Sequence, residues 1–315
     1  MKDGFNRDID YLKISLTNKC DLRCVYCVEE DTDLSSKNTS GFLGLEDYKF
    51  IIKSMAKLGI KTIDFTGQES LLDFNLSELV YYAKNECNIE KVILTTNGIS
   101  FYKYAQDLKN AGLDQVNIGI NSLKEYKYNW ITRCGSLCDV LKSFNTAINL
   151  GIETDVDTLI INKFNDDEIY DFIELANNFP ITLKFVELMN VGEMKNLFKF
   201  GYLNMIDVME NMDNMTKISS NDGNCRNYYK LEGSKGKICV MSLLNNPTCW
   251  KCNKISISYD GKLRFCTYYN RECDIKPFLN KPITFSEFVK DTIVYKPKDF
   301  DDIKNDITSR NINEM

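Results

Sequence analysis

The chain contains no histidine among its 315 residues. That absence excludes a Ser-His-Asp or Cys-His hydrolase, an imidazole-ligated haem and a Cys2His2 zinc finger. No apolar run approaches the ~20 residues needed to cross a bilayer. Residues Met1 to Asp8 lack the apolar stretch of a secretory signal. Basic residues are not in excess, with 39 Lys+Arg against 45 Asp+Glu and a net charge of −6, so the footprint of a nucleic-acid binder is missing. Together these absences predict a cytoplasmic protein without nucleic-acid or membrane partners. Internal repeats and low-complexity blocks are absent too, and Gly233-Ser234-Lys235-Gly236-Lys237 lacks the spacing of a phosphate-binding loop.

What is present is a composition of 43% hydrophobic and 27% charged residues, with twelve cysteines. The length suits one large domain, or one domain with an appendage. Short β-rich runs at 12–15, 62–65, 92–95, 116–120, 154–161 and 181–187 alternate with amphipathic segments at 45–58, 76–85, 102–110, 140–150 and 166–177. Such alternation predicts a parallel sheet wound by right-handed crossovers. Six units are too few for a closed eight-fold barrel, so the reading is α/β, a partial (β/α)6 TIM-like barrel; an open doubly wound sheet is the alternative. Either architecture gathers ligands at the C-terminal ends of the strands. Beyond 187 the pattern changes. Residues 190–235 are polar with one helix at 203–212, residues 249–273 hold four cysteines, and a charged tail follows. The expected division is a core over 1–200 and a smaller unit over 201–315.

In a reducing compartment, grouped cysteines point to metal or redox chemistry rather than disulfides. Cys20-x3-Cys24-x2-Cys27 follows the first strand directly, at the face where barrel active sites form. Soft thiolates at close spacing select zinc or iron–sulfur clusters, and three ligands leave one iron of a [4Fe–4S] cube open. A redox pair at Cys24 and Cys27, or zinc with a borrowed ligand, are the alternatives. Cys249-x2-Cys252-x13-Cys266 encloses two alternating runs around Asp260-Gly261, a hairpin signal that folds Cys266 back toward Cys252. This second set suits another cluster with an open iron, or zinc with Cys273 as fourth ligand. Cys87 and Cys239 read as ordinary buried residues. Cys134 and Cys138 could share a helix face, and Cys225 and Cys273 are either redox-active or idle.

The first cysteine motif, with its aromatic Tyr26, resembles the signature of the radical S-adenosylmethionine (SAM) superfamily. The likeness extends along nearly the whole chain to the GTP 3′,8-cyclase branch of molybdenum cofactor synthesis. It is carried by Ile14-Ser15-Leu16-Thr17-Asn18-Lys19-Cys20, Leu94-Thr95-Thr96-Asn97-Gly98, Ala111-Gly112-Leu113-Asp114 and Phe185-Val186-Glu187-Leu188-Met189-Asn190-Val191-Gly192, with Cys249, Cys252 and Cys266. The resemblance implies two [4Fe–4S] clusters, one binding SAM and one auxiliary in a small C-terminal "twitch" domain. It implies reductive cleavage of SAM to methionine and a 5′-deoxyadenosyl radical that takes a hydrogen atom from the substrate. It also implies a low-potential electron donor such as flavodoxin or ferredoxin. The implied SAM contacts are Tyr26, Gly67, Gln68, Glu69, Thr95, Gly119 and Met189. Where the family has Gly-Gly-Glu-Pro, this chain has Gly67-Gln68-Glu69-Ser70 and keeps the carboxylate suited to the methionine ammonium.

On the substrate side the chain departs from the pattern. Family positions that grip GTP with Arg and Lys read Lys13, Asp64, Asp155, Lys184, Lys254 and Ser256, with Asn253 beside them, and the family's Gly-Gly tail is replaced by Asn311-Ile312-Asn313-Glu314-Met315. Two unit charges at 4 Å interact by about 4 kcal/mol at an effective dielectric of 20, so two reversed contacts rival a micromolar affinity. The sequence therefore predicts a radical SAM enzyme whose substrate is not GTP but a small molecule or a peptide or protein side chain. A GTP 3′,8-cyclase is the alternative, and a non-catalytic iron–sulfur or zinc sensor is a third reading. With no histidine available, the candidates for proton transfer are Asp64, Asp155 and Cys134.

Overall fold

The computed structural model describes residues 1–27, 41–72, 75–190, 194–218, 226–242, 249–266, 269 and 271–303. Cys225, Val191, Gly192 and the tail from 304 onward lie outside the described residues. Six strands, β1 (Tyr11–Ser15), β2 (Thr62–Thr66), β3 (Lys91–Thr96), β4 (Gln115–Gly119), β5 (Glu153–Leu159) and β6 (Thr182–Val186), pair in parallel in sequence order. Helices α1 (Leu45–Lys57), α2 (Leu76–Tyr81), α3 (Phe101–Ala111), α4 (Glu125–Thr132), α5 (Leu137–Asn149) and α6 (Ile169–Asn178) connect them. A doubly wound sheet would reverse its strand order at a switch point. This order never reverses, so the partial barrel holds and the doubly wound alternative falls.

The chemistry of each segment explains its place. In β1 the residues alternate, with Leu12 and Ile14 fully buried beneath the helices and Tyr11 and Lys13 turned the other way. Helix α5 lays Leu137, Val140, Phe144 and Ala147 along one stripe, and Ser136 caps it by accepting from the Asp139 amide. α2 runs into a π turn, Tyr82–Glu86, and α6 is preceded by a 3-10 turn, Asp166–Glu168. Expected boundaries therefore agree to within a few residues. α4 has no counterpart in the expected helices.

The later part of the chain differs more. α7 (Met194–Gly201) and α8 (Met205–Glu210) lead into β7 (Met215–Ile218), β8 (Arg226–Leu231) and β9 (Lys237–Met241). Gly233, at φ +76°, helps turn β8 into β9, the structural use of the run that looked faintly like a phosphate loop. β9 joins β6 in parallel, while β10 (Lys254–Ile257) joins β1 in parallel from the opposite edge. β11 (Lys262–Arg264) and β12 (Glu272–Asp274) extend that edge antiparallel, and α9 (Pro282–Thr292) packs on α1. Eight strands thus run parallel, yet among the described residues β9 and β10 do not pair, so the barrel stays open. No described helix is long and apolar enough to cross a membrane.

Candidate active site

The loop after β1 carries Cys20, Cys24 and Cys27 at the C-terminal end of the parallel strands, and the next two strand ends hold it. Gln68 N donates to Thr17 O at 3.2 Å, and Glu69 N donates to Lys19 O at 2.9 Å. Gly67 sits at φ +133°, where an added Cβ would lie 2.8 Å from Thr17 O, so this approach of two backbones requires glycine. Ser70, where the family has proline, donates to Thr66 O at 2.7 Å and fixes the same turn.

Glu69 is 1% exposed. Its carboxylate accepts from Thr96 Oγ1 at 2.9 Å, Asn97 N at 2.8 Å and Leu71 N at 3.2 Å. Burial pushes its pKa up to about 7 against the pull of those donors. Asn97 Nδ2 donates to Asp21 Oδ1 at 2.6 Å and stands 3.8 Å from Cys20 Sγ, which joins Glu69 to the cysteine loop. Tyr26 OH accepts from Asn121 Nδ2 at 3.0 Å, and Gln68 Oε1 stands 3.6 Å from Cys27 Sγ.

Burial pushes the thiols of Cys20 and Cys24 up, to about 11 and about 12. A dithiol redox pair needs a lowered thiol pKa, the opposite of this environment. A bound metal deprotonates a coordinating thiol outright. Three thiols on one loop, with the Leu22 amide donating to Cys20 Sγ at 3.3 Å, fit a cluster with one open iron.

The lumen behind that loop is polar. A chain of hydrogen bonds and ion pairs crosses six strands, from Tyr11 OH to Asp64 Oδ2 (3.0 Å), from Thr95 Oγ1 to Asp64 Oδ1 (2.9 Å), and from Asn117 Nδ2 to Thr95 Oγ1 (3.0 Å). Gln115 Nε2 continues it to Asn117 Oδ1 (2.8 Å) and Asp155 Oδ2 (2.7 Å), and Lys184 Nζ ends it 2.9 Å from Asp155 and 3.1 Å from Asp157. Lys13 stands 3.6 Å from Asp64. Burial alone would lower the Lys184 pKa, but Asp157 and Asp155 hold it above its ordinary value.

A cavity of about 720 Å³ opens at the N-terminal ends of the strands, not at the C-terminal ends where ligands were expected. Its lining has seven bases, Arg7, Lys91, Lys184, Arg226, Lys237, Lys251 and Lys254, against Asp8, Asp10, Glu153 and Asp155. Lys254 is stacked over the Tyr11 ring at 4.3 Å, and burial with repulsion from Arg226 and Lys13 pushes its pKa down to about 7. Asn253 Nδ2 donates to Asp10 Oδ1 at 2.6 Å, and Ser256 pairs across from Lys13.

The second cysteine set stands at this same end. Cys249–Lys251 form a 3-10 turn, Cys252 N donates to Cys249 O at 3.0 Å, and β10 starts two residues later. Lys296 Nζ donates to Cys252 Sγ at 3.5 Å and to Phe265 O at 2.8 Å, which draws the residue before Cys266 beside Cys252. Cys273 instead pairs across from Leu263 and packs on the apolar core. The two cysteine sets therefore stand at opposite ends of the lumen.

Gly119 ends β4, and Met189 lies buried just beyond β6. Cys134 is exposed, its sulfur 3.2 Å from Asp21 O beside the first cysteine loop and not in the lumen. Reading the sequence missed Asn121, Arg226 and Lys296. Asn97 fell inside a recognised stretch, but its link to Cys20 and Glu69 is visible only in three dimensions.

The radical SAM superfamily profile matches residues 14–176, and the Molybdenum Cofactor Synthesis C profile matches residues 181–301. A GTP 3′,8-cyclase of Alkaliphilus oremlandii is 35% identical over 303 residues, covering 96% of this chain and 94% of that protein. One from Clostridium perfringens is 34% identical over 306 residues, covering 95% and 94%. Among solved structures, Streptococcus suis SuiB bound to precursor peptide SuiA aligns with a TM-score of 0.63 at 12% identity, over 92% of this chain and 66% of that one. Identity that low bears on the fold alone.

These relatives overturn the expectation of a substrate other than GTP, such as a peptide side chain. The physical error was to count Asp64 and Asp155 as bare reversed charges, whereas Lys13 and Lys184 stand beside them and the cavity has more bases than acids. With its clusters and SAM the chain belongs to the radical SAM superfamily and, within it, to the GTP 3′,8-cyclase family of molybdenum cofactor synthesis.

Proposed function

We propose that the chain is a GTP 3′,8-cyclase, a cytoplasmic enzyme that joins C3′ and C8 of GTP and draws electrons from a low-potential carrier. The observation that carries this reading is the basic cavity: seven basic side chains against four acidic ones in a protein of net charge −6. Such a lining suits a triphosphate, since lysine and arginine both donate to phosphate oxygens. Cys20, Cys24 and Cys27 would hold the first cluster, which would supply the electron for reductive cleavage of SAM and so the means of hydrogen abstraction. Glu69 sets a carboxylate for the methionine ammonium, and Tyr26 and Met189 border the rest of SAM. At the other end Cys249, Cys252 and Cys266 hold the auxiliary cluster, and Lys184, Arg226, Lys237 and Lys254 receive the phosphates. In this reading residues 1–200 form the core, and 201–315 supply both outer edges of the sheet. Equilibrium binding tests it: GTP binds at least about 100-fold more tightly than guanosine, about 2.8 kcal/mol carried by the phosphates. Equal affinity would remove the reading.

A further inference from the structure

Lys296 follows the turn Ile293–Tyr295 and is 2% exposed. A lysine ammonium has three donors. Here they reach Lys254 O at 2.6 Å, Phe265 O at 2.8 Å and Cys252 Sγ at 3.5 Å. None of these partners is a carboxylate. Burying an ammonium without a counter-charge is costly, so its place needs a nearby anion. The sulfur of Cys252 is the partner that can become one, as a thiolate bound to iron.

The backbone around Lys296 is fixed to the same site. Arg7 donates through Nη2 to Pro297 O at 2.7 Å and through Nη1 to Lys298 O at 3.0 Å and Cys249 O at 2.6 Å. Asp3 holds Arg7 in turn, at 2.6 Å from its Nε. One side chain therefore fixes the segment that presents Lys296 to the loop that presents Cys249. The Tyr295 ring packs edge-on against Phe265, beside Cys266.

We propose that Lys296 is the counter-ion and positioning residue of the Cys249/Cys252/Cys266 cluster, and that its charge raises the cluster's reduction potential. This rests on the reading that those three cysteines hold iron and sulfide. Reduction adds one negative charge to the cluster. A buried cation at hydrogen-bond distance from one ligand sulfur stabilises the reduced state more than the oxidised one, because little solvent intervenes. A structural clamp with no electrostatic role would leave the potential where it was.

The test uses the full-length chain carrying C20A, C24A and C27A, so that only the second site can be loaded. Anaerobic reconstitution is followed by iron counting, circular dichroism and a potentiometric titration read by electron paramagnetic resonance. The parent is expected to hold about four irons. K296M lowers the midpoint by at least about 59 mV, the one-electron equivalent of a tenfold change in the reduced-to-oxidised ratio. K296R, which keeps the charge, stays near the parent. Should K296M fold but hold no iron while K296R holds it, the counter-ion role stands. An unchanged midpoint in K296M overturns the proposal, as does loss of iron from both variants in folded protein. A parent without iron refutes the cysteine assignment itself, a different outcome that takes the proposal with it.

Discussion

Lys184 on β6 holds the carboxylate of Asp155 on β5 at 2.9 Å, and both line the basic cavity. The acidic side chain does not stand alone against a phosphate. It shares a lysine, and in the proposed reading that lysine's charge is divided between substrate and protein. Opposite effects follow from removing either partner. D155N removes one of the two carboxylates on Lys184, leaving Asp157 at 3.1 Å, and lowers the KM for GTP by up to about tenfold if one screened unit charge is relieved. K184M leaves Asp155 buried without its cation, costs about 3–5 kcal/mol of stability and raises the KM. Steady-state kinetics and thermal denaturation of the two variants check both directions.

Glu69 gives the site a pH dependence whose sign can be worked out. Burial holds its pKa near 7, and the SAM ammonium favours the carboxylate form. Binding therefore releases a proton whenever the free site is protonated. Through Glu69 alone, SAM affinity falls by up to about tenfold per unit as the pH drops below about 7. E69Q binds SAM weakly and loses this dependence. Isothermal titration of the reconstituted enzyme between pH 6 and pH 8.5 reads both effects.

Gly67 allows the β2 end to lie against the loop that leads to Cys20. G67A must change either the φ of +133° or the 2.8 Å approach to Thr17 O. The expected cost is about 1–3 kcal/mol of stability with loss of SAM binding. Melting and SAM titration of one preparation check it; a stable variant with unchanged SAM affinity would remove Gly67 from the account.

The two cysteine sets predict iron counts. Intact reconstituted protein holds about eight irons, and replacing either triad by alanine leaves about four. C273A leaves the count unchanged, because Cys273 packs with Leu263 against the core. Iron and acid-labile sulfide assays decide the matter, and a count that falls in C273A would bring back a fourth ligand.

Much of this was legible in the sequence for a physical reason. Strands β1 to β6 are short apolar runs that owe their pattern to burial on one or both faces, and the cysteine spacing is local by necessity. What escaped was non-local. Lys184 stands opposite Asp157 in the register of β5 and β6 and reaches diagonally to Asp155, and no periodicity announces that pair. β8 escaped because its Arg226, Asn227 and two tyrosines read as polar chain, although Arg226 lines the cavity. Lys296 looked like one more charge in a charged tail, while the fold buries it against Cys252. The charge argument failed for the same cause: a sequence supplies signs, and only the fold supplies partners.

The central claim is that this cavity presents GTP to radical chemistry. Its most direct test is anaerobic incubation of the reduced, fully loaded enzyme with SAM and GTP, with 5′-deoxyadenosine and nucleotide products measured together. 5′-Deoxyadenosine and a cyclised nucleotide are expected in equal amounts, both dependent on GTP. Cleavage of SAM at a rate indifferent to GTP, with no cyclised nucleotide, would contradict it.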